Sequence, residues 1–209
     1  GLPAALEQII FQIGITAFLI LVAYYGTEAY AAYGIGVQIL SFSFVIGFGF
    51  SIAGATLVGQ HLGAKNTDQA KRAGWGAMRL SIISMTFFGI IITIFAEPLA
   101  RFMIDNDEVV RLTVIFIWLL GSMQPLMAIE FSLGGALRGA GDTKTPLAIT
   151  LTCLLFIRVF LAVIFFLLDA RIEVIFSTLV ADYVVKGFLY VARFKSDKWM
   201  SALKSKEAV

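Results

Sequence analysis

The sequence predicts an all-α membrane protein with six transmembrane helices. Three observations carry that prediction. The chain is 59% hydrophobic and only 14% charged, against about 25% charged residues in soluble domains. Its apolar residues gather into six runs long enough to cross a bilayer, which takes about 20 residues of α-helix. Lys and Arg collect on alternate connections between those runs. The mean hydropathy of +0.90 agrees. A membrane β-barrel would need alternating segments of about ten residues, and these runs do not alternate.

Span 1, Leu2–Tyr25, is apolar apart from Glu7, Gln8, Gln12 and Thr16. Span 2, Ala29–Val58, carries Gly34, Gly36, Gly47, Gly49 and Gly54. A Gly47-x-Gly49 pair without a preceding strand or a third glycine at the right spacing is no nucleotide loop. Such residues let helices pack closely. In the next turn Asn66-Thr67-Asp68 offers side-chain oxygens to cap a helix start, and His61 is read as a solvated turn residue and not a metal ligand. Span 3, Ala73–Ala96, is followed by Pro98–Met103. Leu99, Phe102 and Met103 on one side and Arg101 on the other predict a short interfacial helix before Asp105-Asn106-Asp107.

Span 4, Val109–Ala136, holds Gln124 and Glu130. A ten-residue turn follows, Leu137-Arg-Gly-Ala-Gly-Asp-Thr-Lys-Thr-Pro146. Gly139 and Gly141 suit a tight reversal, and Pro146 suits the first turn of the next helix. Span 5, Pro146–Leu168, contains Cys153 and Arg158. Span 6, Val174–Arg193, contains Asp182 and Lys186. Residues 1–193 thus form one six-span unit, and 194–209 a polar tail in which Trp199 is expected to anchor at the interface.

Charge sets the orientation. Lys65, Lys71, Arg72, Arg79, Arg138, Lys144, Arg193, Lys195, Lys198, Lys204 and Lys206 fall to one side, and Arg101, Arg111 and Arg171 to the other. Positive residues favour the cytoplasmic side, so both ends are expected there, in a multi-pass protein of the cytoplasmic (plasma) membrane. The net charge of +2 gives no reason to expect nucleic acid, and the single cysteine excludes an internal disulfide. His-Glu-x-x-His, Gly-x-Ser-x-Gly and paired intramembrane aspartates are lacking, which argues against a membrane enzyme. The opening on Gly1 reads as an excised piece.

Three segments resemble the multidrug and toxic compound extrusion (MATE) family. They are Gly-Leu-Pro-Ala-Ala-Leu-Glu-Gln at the start, Leu57-Val-Gly-Gln-His-Leu-Gly-Ala-Lys with its following Asn-x-x-Gln-Ala-Lys-Arg-Ala, and the turn from Leu137 to Pro146. The resemblance spans essentially the whole chain. It implies the C-terminal six-helix lobe of a twelve-helix transporter whose other lobe is missing here. By the same resemblance the partners are membrane lipids, that N-terminal lobe and small amphipathic, often cationic, compounds. The activity implied is antiport against H⁺ or Na⁺ by alternating access, with no cofactor. A flippase for lipid-linked saccharides, or a half-size protein pairing with itself, are the alternatives.

Charged residues at bilayer depth are costly and usually face a cavity or a partner. Glu7 and Glu130 both fall roughly 9–10 Å from the cytoplasmic boundary at about 1.5 Å per residue. Two facing carboxylates raise one pKa by repulsion and desolvation, which makes them the candidates for proton or cation coupling; the alternative is a pair of hydrogen-bonded carboxylates without that role. Gln8, Gln12, Gln38 and Gln124 would add neutral ligands. In the sodium-coupled branch of the family, acidic residues on the seventh and tenth spans align with Phe11 and Met127, one helical turn away from Glu7 and Glu130. Arg158, Asp182 and Lys186 are expected to form an interhelical ion-pair cluster, Lys186 following Asp182 by four residues. Phe11, Phe18 and Phe42, with Phe44 and Phe131, are candidate cavity walls for an apolar cation.

Overall fold

The computed structural model describes residues 2–200. Gly1, Lys204, Lys206 and the rest of the tail after Met200 lie outside the described residues. The elements run α1 (Leu2–Ala23), α2 (Thr27–Gly63), α3 (Thr67–Ile94), α4 (Ala96–Met103), α5 (Asp107–Ser122), α6 (Gln124–Gly139), α7 (Lys144–Thr152), a π-helical segment (Cys153–Val159), α8 (Phe160–Leu167), α9 (Ile172–Lys195) and a 3₁₀ turn (Lys198–Met200). Among the described residues there is no strand.

Five stretches are long and apolar enough to cross a membrane: α1, α2, α3, α7 with its continuation through α8, and α9. The remaining predicted span, span 4 at Val109–Ala136, is broken. It becomes α5 and α6, which meet at Met123 with a bend of 54°. Pro125 occupies the first turn of α6, where its missing N–H costs nothing but where α5 cannot continue unbroken. The predicted interfacial helix is α4, and Arg101 on it pairs with Asp107 and Glu97. Those two acceptors lift the Arg101 pKa above its ordinary value.

Helix starts follow their caps. Asn66 Oδ1 accepts from the Gln69 amide at 3.1 Å, and Asn106 Oδ1 accepts from Glu108 and Val109, which satisfies amides that the first turn leaves unpaired. α2 extends to Gly63, so His61 sits in its last turn and not in the loop.

Small residues bring α2 and α6 together. A Cβ on Gly135 would come within 2.1 Å of the Ser51 carbonyl oxygen, and one on Gly139 within 2.1 Å of that of Ala55. Gly139 is therefore fixed by helix packing, and the chain reversal falls to Gly141, whose φ is +84°. In span 2, Gly36 lies against Phe116, Gly47 against Phe131 and Gly54 against the Ser132 backbone, whereas Gly34 and Gly49 face open space.

The turn from Leu137 to Pro146 is a clamp as well as a reversal. Asp142 is buried, accepts from Thr145 Oγ1 at 2.8 Å and pairs with Arg193 at 2.6 Å. It thereby starts α7 and ties the turn to α9. Trp199 packs into the protein and is not an exposed anchor. It is fully buried, stacks on Phe194 with ring centroids 4.7 Å apart and donates from Nε1 to the Phe194 carbonyl at 2.8 Å. Burial against an aromatic with its N–H satisfied is the more favourable setting for indole.

The two ends of the bundle carry separate charge sets. Lys71 pairs with Asp197, and Arg193 with Asp142, at one end. Arg111 with Glu173, and Tyr25 donating to the Ala170 carbonyl, close the other.

Candidate functional site

The site grows from faces that the helical repeat defines. Glu7, Phe11 and Ile15 follow one another at four-residue spacing along α1, and Phe44, Phe48 and Ser51 line a comparable face of α2. With Glu130, Phe131 and Arg138 of α6, Thr150 of α7, Tyr183 of α9 and Gln8, they enclose a cavity of about 350 Å³. Glu7 and Glu130 thus share one cavity.

Each of the two carboxylates already has a cation. Arg138 Nη2 donates to Glu7 Oε1 at 2.7 Å and Nε to Oε2 at 3.3 Å, while the Thr150 hydroxyl donates to Oε1 at 3.4 Å. Lys186 Nζ lies 3.4 Å from Glu130 Oε1. The arrangement is two salt bridges and not the carboxylate dyad that the matched depths suggested. Arginine accounts for the difference at Glu7: its long stem lets a residue at the helix end place its charge a turn deeper.

Behind the cavity wall lies a more deeply buried group. Arg158 Nη2 is 2.5 Å from Asp182 Oδ2, and Lys186 Nζ is 3.2 Å from the same oxygen. The three side chains are 4%, 0% and 1% exposed. These are close charge contacts without hydrogen-bond alignment. The attraction is strong at low dielectric, and it opposes the desolvation of both charges. Arg158 is presented by the π-helical segment, a geometry that recurs at functional sites. The Tyr183 ring separates the cluster from the cavity, with the Arg158 guanidinium carbon 5.5 Å and the Lys186 ammonium 5.4 Å from its centroid. Arg158, Asp182, Lys186 and Glu130 form one chain of charges that surfaces only at Glu130.

Several expected ligands lie elsewhere. Gln12 is five residues after Glu7, about 140° around the helix, and is exposed. Gln124 is fully buried against Gly89, with neither its amide oxygen nor its nitrogen hydrogen-bonded. Gln38 and Phe42 border a separate apolar groove of about 770 Å³ with Phe88, Leu99, Phe102 and Met103. Phe18 is 1% exposed and packs on Tyr33 in the core, about one turn beyond Ile15 at the cavity wall. Phe11 faces the cavity, whereas Met127 is buried beside Met85.

The residues missed from sequence are Arg138 as the partner of Glu7, Glu130 as the partner of Lys186, and Ile15, Phe48, Ser51, Thr150 and Tyr183 as lining. One signal was available: Glu7, Glu130 and Asp182 are matched in number by Arg138, Arg158 and Lys186, and membrane charges seek partners.

The MatE family model matches residues 3–164. A probable multidrug resistance protein NorM of Thermotoga maritima is 34% identical over 208 residues, covering 95% of this chain and 43% of that protein. The multidrug resistance protein NorM of Aliivibrio fischeri is 32% identical over 143 residues, covering 68% and 31%. Among solved structures, the MATE transporter ClbM in complex with Rb⁺ superposes with a TM-score of 0.88 at 20% identity, over 100% of this chain and 48% of that one. An outward-facing multidrug resistance MATE family transporter gives 0.82 at 20% identity, over 95% and 44%. At such identities the structures bear on the fold alone. The chain spans less than half the length of the relatives it matches.

Proposed function

The chain belongs to the MatE family, and on that premise we propose that it is the C-terminal lobe of a cation-coupled multidrug efflux transporter. The lobe would pair with an N-terminal lobe in the cytoplasmic membrane, with both ends of this segment on the cytoplasmic side. Together they would export amphipathic, often cationic, compounds in exchange for H⁺ or Na⁺. The observation that carries the reading is the aromatic cavity whose two carboxylates, Glu7 and Glu130, are each held by a tethered cation. Aromatic faces suit a delocalised organic cation, and the carboxylates suit a cation of either kind.

The charge balance supports exchange. Three carboxylates face three cations across the cavity and its wall, so each added cation brings an uncompensated charge into a poorly solvated site. One such charge can be met by displacing a tethered cation from its carboxylate, but two together would accumulate in a poorly solvated site, which is strongly disfavoured. Occupation by one cation therefore works against a second, which is the condition for antiport.

The test uses the intact gene product that contains this chain, reconstituted in vesicles. Export of a fluorescent lipophilic cation should follow an imposed pH or Na⁺ gradient and stop when both are collapsed. Equal flux with and without either gradient would refute coupled transport.

A further inference from the structure

Lys186 is 1% exposed and stands between two carboxylates, 3.4 Å from Glu130 and 3.2 Å from Asp182. Only Glu130 of these two lines the cavity. Asp182 is fully buried and holds Arg158 as well. The ammonium makes no aligned hydrogen bond in this position, so its place is set by charge and not by directional bonding.

A cation arriving from the cavity meets Glu130 with one oxygen already facing Lys186. The other titratable groups around this carboxylate are Asp182, Tyr183 and Tyr190 from α9, Arg138 on α6, Glu7 across the cavity, and Arg158 and Cys153 from the π-helical segment. Arg138 is engaged in a two-point contact with Glu7, and Arg158 is engaged with Asp182. Lys186 is the cation in direct contact with Glu130, and Asp182 is the acceptor beside it toward which it can withdraw. A lysine stem with rotatable bonds permits that movement, whereas a bidentate arginine is held more firmly.

We propose that Lys186 is a tethered competitor for Glu130: a cation claims the carboxylate from the cavity only as the Lys186 ammonium withdraws to Asp182. Lys186 then sets how strongly the cavity holds either the coupling ion or the organic cation. The proposal rests on the transport reading above, and it makes Lys186 a positioning residue that touches no substrate.

The experiment measures equilibrium binding of tetraphenylphosphonium to the purified intact gene product, with thermal melting as the check on folding. Lys186→Met should tighten binding by about tenfold or more, a change on the order of 1.4 kcal/mol. Lys186→Arg, which keeps the competing charge, should not tighten binding. Glu130→Gln should weaken binding, because the carboxylate that receives the cation is gone. In Glu130→Gln the Lys186→Met change should no longer tighten binding. A folded Lys186→Met protein with unchanged or weaker affinity overturns the proposal, since loss of a purely structural residue would do that. Should Lys186→Met fail to fold, a folded Lys186→Gln protein with unchanged or weaker affinity overturns it instead. Absence of saturable binding to the unmodified protein would sink the transport reading itself.

Discussion

Glu7 and Arg138 meet in a two-point contact, Nη2 to Oε1 at 2.7 Å and Nε to Oε2 at 3.3 Å, across 131 positions of sequence. The contact joins the start of α1 to the end of α6 and closes one end of the cavity. Parallel N–H donors from one guanidinium give it direction as well as charge. Glu7→Gln should lower coupled efflux by at least about tenfold, the order expected when a buried charged hydrogen bond worth roughly 1.5–3 kcal/mol is lost. The exchanged double variant Glu7→Arg with Arg138→Glu should recover part of that loss. Vesicle uptake under a fixed gradient reads both, and single and double variants of equal activity would show that the contact has no part in transport.

Asp182 neutralises two buried cations at once. Asp182→Asn leaves Arg158 and Lys186 with only Glu130 to face, and breaking a buried pair typically costs about 3–5 kcal/mol. Arg158→Met removes one cation while Lys186 still holds Asp182 at 3.2 Å, so its cost should be smaller. Thermal unfolding of the detergent-purified protein should rank Asp182→Asn well below Arg158→Met. The reverse order would count against this account of the cluster.

Close approach of α2 and α6 depends on two glycines. Gly135→Ala and Gly139→Ala should each destabilise by about 1–3 kcal/mol or more, because overpacking displaces backbone here and not a flexible side chain. Gly49→Ala, exposed and without a neighbour within 4 Å, should be neutral or stabilise by about 0.5–1 kcal/mol through its helix propensity. Retained folded protein after a heat step measures the difference.

Orientation is testable with single cysteines in a Cys153→Ser background. Asp105→Cys should react with a membrane-impermeant maleimide added to intact cells, and Lys65→Cys should react only after permeabilisation. Labelling in the opposite pattern would invert the topology drawn from the positive residues.

Much of the bundle was legible in sequence because membrane burial acts on every residue of a span. Six apolar runs, the cap at Asn66 and a short amphipathic helix over Pro98–Met103 all follow from local rules. Those rules did not reveal the 54° break at Met123, since the apolar run passes through it and Pro125 alone does not set the angle. They also did not reveal that Trp199 stacks on Phe194, because that pocket is a tertiary feature.

At the site, depth was legible and direction was not. Counting residues put Glu7 and Glu130 at one level, and α-helical rise makes that count dependable. Which cation each carboxylate meets depends on helix rotation and on how far a long side chain reaches. Neither follows from spacing within one helix. The motif from Leu137 to Pro146 shows both sides of this limit. Sequence by itself determined the family resemblance, the six spans, the chain reversal and the charged end, because composition and order specify solvent and turn chemistry. Only the tertiary structure decided that Arg138 reaches back to Glu7, that Asp142 clamps Arg193 and that Lys186 divides itself between Glu130 and Asp182. In a low-dielectric interior each charge is satisfied by whichever opposite charge the packed helices bring within reach, and that choice is made between helices and not along them.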